Sequence, residues 1–326
     1  MNELYPLKFQ PIIKEIIWGG EKLKTLLNKD TGIVKKAAES WEISAIQGSI
    51  SVVSNGYLAG NNLEEIIEIY MGDLVGDKIY EMFGIEFPLL IKYIDAQDNL
   101  SIQVHPDDKL ARERHNAYGK SEMWYIIQAE KGASLISGFS NEVNKEIYLK
   151  HFKEKTLQNI LNTEIVKPGD VFYIPAGRVH AIGPGILLAE IQQTSDVTYR
   201  IYDWDRKDKN GKERELHTDF ALDAIDFKFY NNYKTTYSKK LNKTENLLNC
   251  KHFTTNIIEF DKTLEKDYSA IDSFVIYMCT EGSFTLDYKH DTLKVSKGDT
   301  ILVPATLKEQ VLFPDEKCTL LEIYIS

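Results

Sequence analysis

Val166-Lys167-Pro168-Gly169-Asp170-Val171-Phe172-Tyr173-Ile174-Pro175-Ala176 is answered later in the chain by Val295-Ser296-Lys297-Gly298-Asp299-Thr300-Ile301-Leu302-Val303-Pro304-Ala305. In both copies Gly-Asp follows a short apolar segment. Gly accepts the positive φ of a tight turn, and Asp can bond to the nearby backbone. The apolar run that follows re-enters a sheet, and Pro ends that strand. Upstream lie matching strand-turn-strand units. One is Trp124-Tyr125-Ile126-Ile127, Gly132, then Ser134-Leu135-Ile136; the other is Phe274-Val275-Ile276-Tyr277-Met278, Gly282, then Phe284-Thr285-Leu286. An internal repeat of this kind predicts two small antiparallel barrels or sandwiches rather than a parallel α/β sheet.

Around the repeat, most of the chain reads as short β segments between Gly, Pro, Asn and Asp turns. Leu63, Ile66, Ile67, Tyr70 and Met71 fall at helical spacing, with Asn62 and Glu65 placed as a capping box. A second helix is expected over Asp77–Phe83, and an amphipathic stretch runs from Asn144 to Leu161. That stretch accounts for the longer gap between Gly132 and Val166 than between Gly282 and Val295. The polar run Asp205–Glu215 reads as an exposed loop. The Asn/Lys/Tyr/Thr-rich segment Tyr230–Asn246 reads as the connection between a first domain, 1–240, and a second, 241–326.

The chain has 326 residues, 43% apolar and 27% charged, with a formal net charge of −10. That is enough for two packed domains, and the acidic balance disfavours nucleic acid and anionic lipid. No apolar run approaches the ~20 residues of a membrane span. Met1–Pro6 lacks the basic start and apolar stretch of a signal peptide, so the expected location is the cytoplasm. Cys250, Cys279 and Cys318 are odd in number and widely spaced, which suits neither a disulfide framework nor a cysteine-based metal site. They read as reduced, mostly buried residues.

Candidate metal ligands occur only in the first copy. Ile102-Gln103-Val104-His105-Pro106 alternates with period two, so a strand turns Gln103 and His105 to one face. Glu122 opens Glu122-Met123-Trp124-Tyr125, and His180 follows the Pro175 turn. Two imidazoles and a carboxylate suit zinc and leave a position for water or substrate; a Gln carbonyl adds a weaker oxygen ligand. Antiparallel strands lie ~4.8 Å apart, so inward residues of three strands can converge on one ion. Taken singly, His105 or His180 reads as a hydrogen-bonded structural residue, Glu122 as a solvated strand end, and Gln103 as uninformative. Their combination on matched positions of one barrel is the signal. The second copy keeps the turn but has Phe274 near the Glu122 position and no His after Pro304, so the scaffold does not require them.

Leu188, Glu190 and Gln192 share one strand face, and Arg200 sits between polar neighbours in Thr198–Tyr202. An ionised pair inside a barrel is costly without partners. Glu190 and Arg200 therefore read either as a structural ion pair or as active-site groups. Lys120 reads either as a cation near the metal or as a solvated turn lysine. Trp18 and Trp41 read as core aromatics closing a barrel. His115, His151, His217, His252 and His290 read as surface residues.

Ser101-Ile102-Gln103-Val104-His105-Pro106, Gly119-Lys120-Ser121-Glu122-Met123-Trp124-Tyr125, Pro175-Ala176-Gly177-Arg178-Val179-His180-Ala181 and Ser195-Asp196-Val197-Thr198-Tyr199-Arg200 together resemble type I mannose-6-phosphate isomerases, in their short bacterial form. Trp18-Gly19-Gly20, Trp41-Glu42 and Phe87-Pro88-Leu89-Leu90-Ile91-Lys92 extend the likeness over nearly the whole chain. The resemblance implies a mainly β fold of two cupin-type, jelly-roll barrels, the second one degenerate. It implies one Zn2+ per chain held by Gln103, His105, Glu122 and His180. It also implies an active-site arginine at Arg200, a lysine at Lys120, an acid at Glu190 and a substrate-side serine at Ser101. Gln103 replaces the first His of the generic cupin His-x-His, and Glu122 lies 17 residues after His105, which favours the isomerase over oxygen-using cupins. Met123 stands where Cys is common.

The expected activity is interconversion of mannose 6-phosphate and fructose 6-phosphate through a cis-enediol. Arg200 would stabilise the developing oxyanion. Lys120 would orient the sugar or neutralise phosphate. Glu190 and a hydroxide on the ion are both candidates for the base. The expected partner is a small sugar phosphate, on a monomer or weak homo-oligomer. Competing readings are another cupin enzyme, oxygen-dependent or acting on nucleotide-linked sugars, and a non-catalytic sugar-binding cupin that binds without turnover.

Overall fold

Both Gly-Asp turns form as their chemistry requires. Gly169 and Gly298 take φ of 85° and 91°. Asp170 Oδ2 accepts from Lys167 N at 2.9 Å, and Asp299 Oδ2 accepts from Ser296 N at 3.0 Å. The computed structural model describes residues 3–207, 211–289 and 291–326.

The fold is mainly β and contains two sandwiches, each of two facing antiparallel sheets rather than one closed barrel. In the first, a six-stranded sheet runs in the order Val171–Ile174, Glu122–Ala129, Ile186–Gln193, Leu89–Ala96, Ala37–Ile43, Ile12–Gly20. It faces a five-stranded sheet ordered Leu161–Ile165, Ser134–Phe139, His180–Ile182, Ile102–Val104, Tyr199–Tyr202. The second sandwich repeats the plan. Thr300–Val303, Val275–Glu281, Cys318–Tyr324, Thr254–Phe260 and Lys243–Asn249 face Leu264–Asp267, Glu309–Pro314, Ser283–Tyr288 and Asp291–Ser296. The edge of the second large sheet is completed from far away: Leu7–Lys8 pairs with Ile301 and Leu302.

Strand alternation decides which side chains meet. In Ile186–Gln193, Leu188 points into the first sandwich beside Trp18, Ile94, Trp124 and Ile182. Leu187, Ala189 and Ile191 point the other way and join Ile257, Met278, Leu302 and Leu321 of the second sandwich in one continuous core. The two large sheets are therefore covered on both faces, and their shared outer faces are mainly apolar. Glu190, on the inward face of such a strand, is buried.

Helices form where the sequence caps them. Asn62 accepts from Glu65 N at 3.0 Å, and Glu65 accepts from Asn62 N at 2.9 Å, starting Leu63–Tyr70. The second expected helix spans Asp77–Phe83. The Asn144–Leu161 stretch is not one helix. An α-helix Lys145–Lys153 ends near Lys155, at φ 57°, and a 3-10 turn follows over Leu157–Ile160. The connecting segment is tied to the first sandwich by Lys234 Nζ to Asp170 Oδ2 at 2.8 Å and Tyr237 OH to Gly169 O at 2.6 Å. Trp41 does not close a core; it is half-buried, with Lys14 and Lys92 over its ring at 4.2 and 5.2 Å. No helix among the described residues is long and apolar enough to cross a membrane.

Candidate metal centre and active-site cavity

The centre is assembled from turns with little freedom. Strand Ile102–Val104 carries Gln103 inward, and Pro106 after His105 holds His105 extended rather than helical. Gly119 packs so closely on the helix start at Asp108 that a Cβ there would lie 2.5 Å from Asp108 N, so only glycine fits. Ser121 N donates to Gln193 Oε1 at 2.9 Å, and Gln193 Nε2 donates to Asp108 Oδ1 at 2.9 Å. These bonds hold the Gly119–Glu122 segment where it enters the strand Glu122–Ala129. Gly177, at φ 89°, donates its N–H to His105 O at 2.9 Å and makes the turn that delivers His180 opposite Gln103.

His105, Glu122 and His180 meet with their donor atoms within 4.8 Å of one another, and all three are buried. His105 Nδ1 lies 2.9 Å from Val197 O, and His180 Nδ1 lies 2.8 Å from Arg178 O. A carbonyl only accepts, so each Nδ1 carries the proton and each Nε2 keeps a lone pair. Burial, reinforced by Lys120, lowers the His105 pKa to about 3, and burial lowers that of His180 as well. Burial works against the Glu122 charge, but the Lys120 ammonium beside it outweighs that and holds the carboxyl ionised. His105 Nε2 and Glu122 Oε2 are buried without hydrogen-bond partners among the described residues, although His105 Nε2 lies 3.3 Å from Glu122 Oε1. Two unprotonated imidazole nitrogens facing an orphaned carboxylate oxygen fit a divalent cation. Gln103 joins them: its Nε2 is 3.2 Å from His180 Nε2, and a half-turn of the amide presents Oε1 instead.

The neutral histidines carry a stability cost that appears on acidification. Their folded pKa lies below the ordinary 6.5, so below pH 6.5 the unfolded chain binds more protons than the folded one. Metal-free protein is therefore expected to lose stability as pH falls from 6.5 towards 3, at about 1.4 kcal/mol per pH unit from His105, with His180 adding in the same direction. Thermal unfolding across that range checks this. A His105→Gln chain should show the shallower slope.

The ligands border a cavity of about 190 Å³, whose lining includes Ser101, Gln103, Lys120, Glu122, Glu190 and Arg200. Lys120 is not a solvated turn lysine: it is buried, 3.3 Å from Glu122 Oε1. Glu190 and Arg200 are not an ion pair with each other. Glu190 Oε1 is 3.0 Å from Lys92 Nζ, and Glu190 Oε2 accepts from Trp124 Nε1 at 2.8 Å. Burial, then the neighbouring Glu122, raises the Glu190 pKa above that of an ordinary carboxyl. Burial works against the Lys92 charge, but Glu190, Glu39 and Glu122 outweigh it and push its pKa up. Arg200 Nη1 donates to Glu215 O at 2.8 Å, while its buried Nε has no partner among the described residues.

Lys92, Glu39, Trp124 and Arg214 were not read from the sequence as site residues. Lys92 had a signal, since a lone cation in the apolar strand Leu89–Ala96 demands buried anions. Arg214 had none, because it lies in the polar run that reads as a free loop. In fact its Nε and Nη2 grip Asp203 at 2.7 and 2.5 Å, and it lines the cavity with Arg200. Residues 208–210 of that run lie outside the described residues. Of the surface histidines, His115 is exposed and His151 and His252 are half-buried. His217 is half-buried behind the cavity, where its Nδ1 accepts from Arg200 N at 3.2 Å. His290 lies outside the described residues.

A family model described as phosphomannose isomerase type I, catalytic domain, matches residues 6–154, and one described as mannose-6-phosphate isomerase, cupin domain, matches residues 243–313. The mannose-6-phosphate isomerase ManA of Bacillus subtilis is 37% identical over 93% of this chain and 94% of its own. A mannose-6-phosphate isomerase of Streptococcus mutans is 35% identical over 93% of each chain. The crystal structure of a Bacillus subtilis mannose 6-phosphate isomerase superposes with a TM-score of 0.87 at 32% identity, covering 98% of this chain and 99% of that one. With its buried His105–Glu122–His180 centre beside a polar cavity, this chain is an enzyme of the type I mannose-6-phosphate isomerase family.

Proposed function

We propose that the chain interconverts mannose 6-phosphate and fructose 6-phosphate, using one zinc ion held by Gln103, His105, Glu122 and His180, and moves a proton between C1 and C2 through a cis-enediol. The observation that carries this reading is the pair of neutral, Nε2-free imidazoles facing an ionised carboxylate beside the cavity that holds Glu190. Zinc, when bound, supplies Lewis-acid polarisation of substrate oxygen.

The chain's own residues do the rest. Glu190 is the base. Its raised pKa brings it nearer to that of the carbon acid, and Trp124 and Lys92 fix both its oxygens. Lys120 and Arg200 place positive charge where negative charge develops on the sugar oxygens. Arg214, braced by Asp203, forms the end that receives phosphate, with Ser101 beside the sugar. Catalysis is assigned to residues 1–240. Residues 241–326 support them through the shared core.

The direct test is an assay of fructose 6-phosphate formation from mannose 6-phosphate, run beside unphosphorylated mannose and a nucleotide-linked mannose. Turnover confined to the hexose phosphate supports the proposal, and turnover confined to the nucleotide sugar overturns it. Arg214→Ala is expected to raise KM about tenfold to a hundredfold with a smaller change in kcat, since a hydrogen bond to a charged group contributes about 1.5–3 kcal/mol. Steady-state kinetics checks the split.

A further inference from the structure

The second sandwich repeats the backbone of the first closely enough to be read position by position. Ile126 N and Cys279 N each donate to the Asp of the shared turn at 2.9 Å, and Gly169 N and Gly298 N each donate back at 2.8 Å. Glu122 lies opposite Ile174 and Val275 opposite Val303, so the position matching Glu122 holds Val275, one residue beyond Phe274. Glu190 faces Trp124 across the ladder, and Glu322 faces Tyr277 in the same way. The irregularity in register that follows is repeated too, at Leu187/Leu188 and at Cys279/Glu281. On the smaller sheets, Ile182 opposite Leu135 matches Leu312 opposite Leu286. His180 therefore matches Gln310. The residues across from them are Gln103 and Lys266, and two positions further on His105 matches Tyr268.

The four donor positions of the metal centre thus carry Lys266, Tyr268, Val275 and Gln310. Both imidazoles and the ligating carboxylate are gone, and an ammonium group has come in. The carboxylate that persists is Glu322, at the Glu190 position, and it is 2% exposed. Lys266 Nζ sits 2.6 Å from Glu322 Oε1 and donates to Thr244 Oγ1 at 2.9 Å. Glu322 also accepts from Asn256 Nδ2 at 2.8 Å and from the Tyr268 hydroxyl. Tyr268 and Tyr277 hydroxyls lie 2.5 Å apart, and Tyr277 OH donates to Gln310 Oε1 at 3.1 Å.

We propose that the second sandwich carries a cation site of its own, filled from within the chain by the ammonium group of Lys266. A buried carboxylate needs a cation. In the first sandwich that charge is shared by Lys92, Lys120 and the metal position; in the second it comes from Lys266 alone. An ammonium at the site repels a divalent ion, so the chain loads metal only in the first sandwich. Strand register and hydrogen bonds carry this assignment, independently of which ion the first sandwich holds.

The test compares full-length, metal-loaded protein with Lys266→Met, Glu322→Gln and the double variant, reading thermal midpoint, bound metal per chain and kcat/KM. Lys266→Met leaves the Glu322 carboxylate buried without a cation, so its midpoint should drop by roughly 5 °C or more; Glu322→Gln leaves the half-buried ammonium with Thr244 alone and should lower the midpoint by less. The double variant should regain most of that loss, with metal content and kcat/KM unchanged throughout. A single variant that fails to fold beside a double variant that folds supports the proposal equally. Losses that add in the double variant, a Lys266→Met chain as stable as the parent, or two ions per parent chain would overturn the proposal.

Discussion

His180→Ala is expected to lose its bound divalent ion and its isomerase activity together, with kcat/KM falling on the order of 10³-fold or more. The reason lies in the geometry. His180 Nε2 offers its lone pair to the centre because Nδ1–H is committed to Arg178 O at 2.8 Å. Without the imidazole, only His105, Glu122 and Gln103 remain, on two short segments with no opposing donor. His105→Ala should behave alike, since the same logic holds for its bond to Val197 O at 2.9 Å. Metal analysis beside steady-state kinetics checks both. A His180→Ala chain that is metal-free and fully active would refute the account. The fold itself should survive, because the second sandwich builds the same strand pairing with Gln310 at the matching position.

Glu190→Gln is expected to separate chemistry from metal binding. The amide keeps the shape of the side chain and can still accept one hydrogen bond, but it cannot take a proton from carbon. The expected result is a kcat about 10²- to 10⁴-fold lower, with KM and bound metal nearly unchanged. Lys92 then loses its nearest anion, at 3.0 Å, and keeps Glu39 at 3.7 Å, so a modest drop in thermal midpoint should accompany the change. A kcat within a few-fold of the parent would remove Glu190 as the base and leave its role as a partner for Lys92 and Trp124.

Much of this architecture was legible in the sequence because its signals are local. A Gly-Asp turn states its own φ and its own hydrogen bond, so the two repeats could be aligned from the residues alone. Asn62 with Glu65 states a helix start. Period two placed Gln103 and His105 on one face. The gathering of Gln103, His105, Glu122 and His180 was legible from their combination on matched positions of one barrel and from the family resemblance, with the second copy, which lacks them, as the control.

What was not legible depends on partners remote in sequence. Lys120 looks like a turn lysine until Glu122 and the Asp108–Gln193 brace enclose it. Glu190 looks like a partner for Arg200 until Lys92, nearly a hundred residues earlier, takes that place. Arg214 sits in a run of charges that nothing local marks as inward, and the interaction that turns it is Asp203. Leu7–Lys8 joins the second sandwich through a contact spanning almost the entire chain. In each case the deciding term is the pairing of a buried charge or of an open sheet edge, and that pairing is set by the assembled sheets.

Turnover, on the proposal made above, depends on one divalent cation held by Gln103, His105, Glu122 and His180. The most direct test is metal analysis of the purified chain together with mannose 6-phosphate isomerisation measured before chelation, after chelation and after zinc is restored. The account predicts about one ion per chain, activity that falls with the ion removed, and recovery on zinc addition. Full turnover by a chain shown to be metal-free would contradict it.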